Sequence, residues 1–188
     1  GFNFYNGAVK GTQFKWLDIE AVWKRLLPGR TIQRIRYFTA RVHAFPHDRD
    51  APTRQDIYLR ALRTFPTITI HEGWFAARRT LLPQYPLVYP DPSKPPVRVQ
   101  VQRMEEKRTD VNIATFVLTD CFFEIFDEVV LISNDSDLTT PLEIARSRFK
   151  KKVTVVNPHP KSKISGDLIR VADEHLRTIN KKVLASSQ

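Results

Sequence analysis

The second half of the chain alternates short aliphatic segments with segments of helical periodicity, and this alternation limits the fold more than any other feature. The segments EVVLIS and KKVTVVNP are predicted to be strands. Three helices are predicted around them: DVNIATFVLTDCFF, largely buried, TPLEIARSRF and SGDLIRVADEHLRTI. Near-continuous aliphatic strands separated by helices are typical of a parallel sheet that is covered on both faces. We therefore expect an α/β fold.

The first half is predicted to alternate in a similar way. Asp18 is a candidate helix cap, and Gly73 is a candidate turn or bulge within an extended stretch. The predicted elements are a helix, a strand, a helix and the extended stretch, at residues 14–28, 34–42, 53–65 and 67–82.

A proline-rich stretch follows. Six prolines lie between Pro83 and Pro96, which is too many for a helix or a central strand. We expect residues 83–98 to form a surface excursion of polyproline character inside one domain that spans residues 1–188.

The charge and cysteine content narrow the classes of partner. The chain carries 30 Lys and Arg against 20 Asp and Glu, a formal net charge of +10, which favours nucleic acid but also fits a merely basic surface. Cys121 is the single cysteine, so no internal disulfide forms, and a reducing cytoplasmic location is expected. No apolar run approaches the roughly 18 residues of a membrane span, so no membrane partner is expected. The sequence leaves open whether the chain forms a homodimer.

Carboxylates gather where the predicted sheet would bind a ligand. Asp135 and Asp137 follow the strand EVVLIS, and ligands of parallel sheets bind beyond the carboxyl ends of the strands. Asp110 lies in the first turn of the preceding helix, three residues after Lys107. Such carboxylates hold a hard divalent cation, Mg²⁺ or Mn²⁺, which removes their repulsion. Otherwise Asp135 is a turn former, Asp137 a loop residue, Asp110 a helix cap and Lys107 a solvated cation.

Two further patterns frame this acidic region. Thr140 and Glu143 have the spacing of a capping box, with Pro141 at the first helical position. Asp120, nearly three helical turns after Asp110, is expected to face solvent or to form a salt bridge.

Basic residues beside aromatic ones form a candidate track for a polyanion. Trp74 and Phe75 precede two arginines, and further cations precede the acidic helix. Stacking and phosphate neutralisation together suit single-stranded nucleic acid, although both aromatic residues would fit a core equally well. The candidate nucleic-acid-binding residues are Arg78, Arg79, Arg103 and Arg108.

Three separated segments, GFNFY, KRTDVNIA and LISNDSDLTTPLEIAR, resemble the signature segments of NYN domains, the PIN-like nucleases. This resemblance implies a three-layer α/β/α PIN-like fold and metal-dependent cleavage of RNA, in preference to DNA. By position it implies that Asn3 orients the first motif and that Lys107 belongs to the middle one. It also implies that Asp110, Asp135 and Asp137 are metal ligands or carboxylates close to the metal.

One motif of the family lies outside the chain. The family carries an aspartate three residues before the asparagine, at the end of a first strand, and this chain begins at Gly1. We expect that strand and its aspartate to precede Gly1. The expected function is that of a divalent-metal-dependent (ribo)nuclease. The alternatives are a non-catalytic nucleic-acid-binding or scaffold protein with the same fold, and a phosphatase or nucleotide hydrolase.

Overall fold

The computed structural model describes residues 1–188 and contains six strands in two three-stranded sheets. One sheet has the order β1-β2-β3 and the other the order β4-β5-β6. The strands are β1 (Ile35–Ala40), β2 (Ile68–Pro83), β3 (Arg98–Lys107), β4 (Glu128–Ile132), β5 (Lys152–Val156) and β6 (Glu174–Leu176).

Seven α-helices connect and cover these strands. The first continues into a π-helical segment, Tyr5–Val9, and the fifth follows a 3₁₀ turn, Ser136–Leu138. The helices are α1 (Phe2–Phe4), α2 (Ile19–Leu26), α3 (Ala51–Leu62), α4 (Thr109–Phe122), α5 (Thr139–Ser147), α6 (Gly166–Val171) and α7 (Lys181–Ala185). None of them combines the length and the apolar character that a membrane-spanning helix needs.

The strand pairing is mainly parallel, as expected. β1 pairs with β2, β4 with β5 and β5 with β6 in parallel, whereas β2 and β3 are antiparallel. β1 and β4 are not paired with each other, and a cavity of about 660 Å³ lies between them. The sheet is therefore divided in two at this cavity.

Two apolar clusters lie on opposite faces of the sheets and make the fold a three-layer α/β/α structure. On one face, α2, α3 and α7 pack on residues of both sheets, including Ile68 and Val156. On the other face, α5 and α6 pack on Leu131, Val153 and Val155. Side chains alternate along a strand, so β4 and β5 supply both clusters.

A charged pair joins α4 to β1. The guanidinium of Arg36 donates to both carboxylate oxygens of Asp120, at 2.7 and 2.6 Å, and lies 4.3 Å from the centre of the Phe116 ring. Asp120 is 6% exposed. The expected salt bridge is thus confirmed, and solvent exposure of Asp120 was the wrong alternative.

The β2–β3 ribbon, residues 74–83 paired with residues 98–107, extends beyond the sheet. β2 pairs with β1 only as far as Gly73, and from Trp74 to Pro83 it pairs with β3 alone. The proline-rich stretch connects the two strands, and residues 81–90 are all exposed. β3 was missed in the sequence because it is mostly polar and its apolar alternation is limited to Val99 and Val101.

Several element predictions need correction. The segment SGDLIRVADEHLRTI is not one helix: α6 ends at Val171, and residues 174–176 form β6 in parallel register with β5. The helix α4 is less buried than predicted, since Val111 and Phe122 are 69% and 71% exposed. Asp18 does cap α2, accepting from the Ala21 amide at 2.9 Å.

The predicted capping box and the predicted bulge are also absent. α5 begins at Thr139 without a side-chain cap, because the 3₁₀ turn before it already continues into the helix. Gly73 stays in register with Ala40 of β1, and the pairing with β3 begins at the next residue, Trp74. Glycine is needed there because a Cβ atom would overlap the carbonyl oxygen of Lys107.

Candidate active site

The candidate active site lies at the carboxyl end of β4, where the chain leaves the sheet. Ser133 is buried, and its hydroxyl accepts from the amide Nδ2 of Asn3 at 2.9 Å and from the backbone amide of Asp135 at 3.1 Å. Asn3 is thereby fixed against the loop that carries the carboxylates. The first and last signature segments meet through this one hydroxyl.

Asp135 shapes the turn that follows. Its carboxylate accepts from the backbone amide of Asp137 at 3.1 Å and caps the 3₁₀ turn. The turn-forming role that was an alternative to metal binding is therefore real. One carboxylate oxygen of Asp135 accepts this bond, and the other oxygen remains available to a ligand.

Asp110 faces the same region from the start of α4. Partial burial, followed by the negative charges of Asp135, Glu106 and Asp137, raises the pKa of the Asp110 carboxyl above its usual range. The residue as a whole is exposed, so solvent still reaches this carboxyl. Three separate segments thus bring four acidic side chains within electrostatic reach of one another. Sequence reasoning missed Glu106, whose strand was not predicted.

Lys107 does not lie on the same face of the ribbon as the acidic side chain Glu106. Successive side chains of a strand point to opposite faces, so Lys107 and Glu106 lie on opposite faces of the ribbon. Lys107 forms an ion pair with Glu105, two residues away on its own face. The prediction that Lys107 acts at the acidic site is therefore not supported by its position.

The candidate nucleic-acid residues are divided in the same way. Arg78 and Arg103 are direct cross-strand partners on the Lys107 face, whereas Arg79 lies on the opposite face. Arg108 covers the ring of Trp74, with its guanidinium carbon 4.0 Å from the ring centre. Trp74 is 44% exposed and Phe75 is half-buried, so only Phe75 fits the interior alternative.

A small polar cleft adjoins Asp135. It has a volume of about 360 Å³ and no hydrophobic lining residue. Asn134 anchors one wall, donating to the Lys163 carbonyl at 3.0 Å and accepting from the Ser165 amide at 2.8 Å. The cleft is lined by Asn3, Asn134, Asp135, Ser136, His159 and Ser162. His159 and Ser162 carry no motif that could have identified them in the sequence.

The larger cavity between β1 and β4 reaches the same carboxylates. Its lining is mostly apolar, 18 of 33 residues, and it includes Glu106, Asp110 and Asp135 at one end. The unpaired edges of both strands line it. On the β1 side these are residues 34–38, and on the β4 side residues 128–132. The acidic region is therefore the polar mouth of an apolar space.

No group of three or more His, Cys, Asp or Glu side chains lies close enough together to hold a metal ion. The carboxylates at β4 fit a hard divalent cation in the type of donor atom and in their mutual repulsion, but their spacing does not form a closed ligand shell.

The fold agrees with the comparison with known proteins. The family model of the NYN domain matches residues 3–180, and the chain belongs to this family, which has a nuclease-like fold. The predicted resemblance and fold class are thereby confirmed.

Two relatives extend the comparison. The chain is 29% identical over 210 aligned positions, covering all of this chain and 67% of the relative, to 6-hydroxy-3-succinoylpyridine 3-monooxygenase HspA of Pseudomonas putida. It is similar in structure to VPA0982, a protein of unknown function from Vibrio parahaemolyticus, with a TM-score of 0.53 and 18% identity over 88% of this chain and 80% of that one. The structural likeness supports the fold.

Proposed function

We propose that the chain is a divalent-metal-dependent nuclease that hydrolyses phosphodiester bonds of single-stranded or structured RNA. The observation that carries this proposal is the placement of Glu106, Asp110 and Asp135 together at one end of the cavity between β1 and β4. Burial and then the neighbouring carboxylates raise the pKa of Asp110, and the repulsion between carboxylates is removed when they share a hard cation. Membership of a family with a nuclease-like fold supports the same reaction class.

Asp110 and Asp135 are the side chains that would hold Mg²⁺ or Mn²⁺, with Asp137 and Glu106 beside them. When bound there, such a cation would supply activation of water and would offset the charge that develops on a phosphodiester during displacement. Asn3 and Ser133 act as positioning residues, because their hydrogen bonds fix the backbone that carries Asp135.

The polar cleft beside Asp135 suits a phosphate group of the substrate. Its hydroxyl and amide groups donate hydrogen bonds, and His159 adds an imidazole at the same wall. The basic ribbon would then contact the nucleotides farther from the cleaved bond, with Trp74 and Arg108 offering a stacking surface. The exposed aromatic and arginine planes suit unstacked bases of either polymer, and RNA is favoured over DNA because of the family resemblance.

The cavity between β1 and β4 completes the proposal. It separates two parallel strand edges, and a strand placed there would pair with both. We assign this position to the first strand that the family resemblance implies, whose carboxyl end would bring one more aspartate to Asp110 and Asp135. Hydrogen exchange checks this: a chain that carries such a strand should protect the β1 and β4 amides, which exchange faster in a chain that begins at Gly1.

The experiment for the nuclease is cleavage of labelled RNA and DNA of equal sequence with Mg²⁺, Mn²⁺ or chelator, using the protein with its first strand. Metal-dependent cutting that is lost in Asp135→Asn and kept in Asp167→Asn is the expected result. Asp167 provides the matched control because it lies on α6, paired with Arg170. RNA binding without cutting at any metal concentration would instead support the non-catalytic binding or scaffold protein. Turnover of small phosphate esters alone would support a phosphatase.

The curated relative offers a second candidate function, hydroxylation of a pyridine ring. The observation that favours it is the mostly apolar cavity, whose volume of about 660 Å³ accommodates an aromatic ring. Loss of 6-hydroxy-3-succinoylpyridine on incubation with the protein, dioxygen and an added electron donor, unaffected by Asp135→Asn, would support it. A strand and a pyridine substrate cannot occupy this cavity together, so protection of the β1 and β4 amides would count against it.

A further inference from the structure

The two faces of the β2–β3 ribbon differ in charge. The Trp74 face comprises the even-numbered residues of β2 from Trp74 to Leu82 and their direct partners on β3, because paired side chains point to one face. The Phe75 face comprises the odd-numbered residues from Phe75 to Pro83 and their partners. The charged residues of the Trp74 face are Arg78, Arg103, Glu105 and Lys107, and those of the Phe75 face are Arg79, Arg98 and Glu106. The Trp74 face is therefore the more positive of the two.

Two arginines on the Trp74 face oppose each other directly. Arg78 and Arg103 are cross-strand partners, and like charges in this position destabilise a ribbon. The carboxylate of Glu105 is shared between Arg103, at 3.2 Å, and Lys107, whereas Arg78 forms no ion pair. An anion placed between the two guanidinium groups would remove their repulsion and accept hydrogen bonds from both.

An aromatic and guanidinium surface lies at the base of the same face. Trp74 is 44% exposed, and the guanidinium carbon of Arg108 lies 4.0 Å from the centre of its ring. Arg108 is itself exposed, and its backbone is left-handed, with a φ of 79° that is uncommon for a residue other than glycine. Costly backbone conformations of this kind cluster at binding and catalytic sites. The indole and guanidinium planes together offer a surface on which an unpaired base can stack.

The Trp74 face begins beside the candidate active site. Arg108 precedes Asp110 by two residues, at the start of α4. The arginine pair lies farther out along the ribbon, because Arg78 is four strand residues, about 13 Å, from Trp74. A strand of nucleic acid that reaches the acidic residues would therefore pass the stacking surface first and the arginine pair next. An acidic protein segment would engage the cations but has no series of planar bases for the Trp74 surface.

We propose that the Trp74 face of the ribbon binds a single strand of nucleic acid that extends from the acidic site. One base stacks on the Trp74–Arg108 surface, and one phosphate of the same strand binds between Arg78 and Arg103. Arg79 lies on the Phe75 face and is not part of this binding surface, although the sequence pattern included it. The identity of the polymer, RNA, rests on the proposed function, whereas binding of the strand requires no cleavage.

Binding of a labelled single-stranded RNA to the full chain in chelator tests the proposal by fluorescence anisotropy. The double variant Arg78→Ala/Arg103→Ala should raise the dissociation constant about tenfold or more. The slope of log K against log salt should also become smaller by about 0.7, the value for one lost phosphate contact on a single strand. Urea denaturation should show an unchanged or higher midpoint for this variant, because a repulsive pair has been removed.

The matched control removes the same charge from the opposite face. Arg79→Ala/Arg98→Ala takes two exposed cations from the Phe75 face of the same two strands. Both double variants have the same net charge, so attraction of RNA by overall charge weakens equally in both. The control should change the dissociation constant by about twofold or less. The difference between the two double variants therefore reports which face the strand contacts.

Substitution of Trp74 tests the stacking contact. Trp74→Leu should weaken RNA binding about tenfold, because leucine offers no aromatic plane, and Trp74→Phe should retain most of the affinity. RNA should quench the indole emission of the original protein. This quenching should largely disappear in Trp74→Phe although binding is kept, a change that a merely structural role of Trp74 would not produce.

Four results would overturn the proposal. They are no binding of RNA by the original protein, equal affinities of the two double variants, quenching that persists in Trp74→Phe, and binding of duplex RNA as tight as that of the single strand, since paired bases offer no free plane. The nuclease proposal fails separately. Binding that depends on the Trp74 face, without metal-dependent cutting, would support this surface and contradict the nuclease. Metal-dependent cutting with equal RNA affinity in all variants would support the nuclease and contradict this surface.

Discussion

The two halves of the sheet are held in place by different interactions. In the β4-β5-β6 half, Val153, Val155 and Val156 are completely buried, and helices cover both faces. In the β1-β2-β3 half, Ala40 and Ile68 are the buried apolar residues, and the strands then continue into the exposed β2–β3 ribbon. The first half has apolar clusters on both faces, whereas the second has an apolar cluster on one face of β1 and the Arg36–Asp120 pair on the other.

The candidate active site lies where these two halves meet. Asp135 follows the well-packed strand β4, whereas Glu106 lies in the ribbon and Asp110 follows it. The Arg36–Asp120 pair and the cavity lie between them. The end of a well-packed strand thus lies beside carboxylates of a segment that continues from the exposed ribbon.

Removing the cation of the buried pair should have the largest effect on stability. Arg36→Met leaves Asp120 charged and 6% exposed without its bidentate partner, which should lower the free energy of unfolding by about 3–5 kcal/mol. Urea denaturation measures this. The control Arg146→Met removes an exposed partner of Asp173 and should cost about 1 kcal/mol or less. Equal losses in the two variants would mean that the buried pair does not anchor β1.

Truncating an apolar side chain in each half compares their packing directly. Leu142→Ala, in the cluster on β4 and β5, should cost about 2–5 kcal/mol because it creates a cavity. Leu81→Ala, on the ribbon and 53% exposed, should change stability by about 0.5 kcal/mol or less. The same urea curves report both. A large loss for Leu81→Ala in the dilute monomer would show that the ribbon has a packed face within one chain.

The junction of the halves is tested at Gly73, which lies against the Lys107 carbonyl. Gly73→Ala forces β2 and the end of β3 apart and should cost about 1–3 kcal/mol. Gly166→Ala is the control, since no atom lies within 4 Å of its added methyl. Thermal unfolding of both variants compares them, and an unchanged midpoint for Gly73→Ala would mean that β3 shifts freely at its base.

The sequence predicted the enclosed half better than the exposed one, for a physical reason. β4 and β5 are short aliphatic runs, and a strand buried on both faces needs such a composition. The predicted end of β4 then placed Asp135 and Asp137 at the edge of the sheet. β3 has no such signal, because its pairing with β2 is decided by the partner strand rather than by its own composition.

The residues that sequence reasoning missed at the site follow from the same limit. Glu106 was missed because strand alternation, which separates it from Lys107, requires β3 to be known. His159 and Ser162 reach the cleft through a loop after β5, and no local pattern predicts that approach. β6 was taken for a helix because parallel pairing with β5 outweighs the helical preference of its sequence.

The smallest expected effect on stability is that of Asp110→Asn. Unlike the substitutions above, it should stabilise the folded chain. A raised pKa means that the folded chain binds this proton more tightly than the unfolded chain. Stability is therefore lost as pH rises from the ordinary aspartate pKa through the raised one. Asp110→Asn should remove this pH dependence. In chelator at neutral pH, it should stabilise the chain by about 1 kcal/mol or less, because solvent screens the exposed carboxyl.

Thermal unfolding between pH 4 and 8 measures this gain, and Asp173→Asn supplies the contrast. Its pKa is lowered by the Val153 amide and by Arg146, so that carboxylate stabilises the folded chain at neutral pH and its removal should destabilise it. Added Mg²⁺ or Mn²⁺ should raise the midpoint of the original protein more than that of Asp110→Asn. A less stable Asp110→Asn variant in chelator would mean that Asp110 stabilises α4 as a helix cap. Mutual repulsion of the acidic side chains would then not be a cost to stability, and the case for a ligand site there would be weakened.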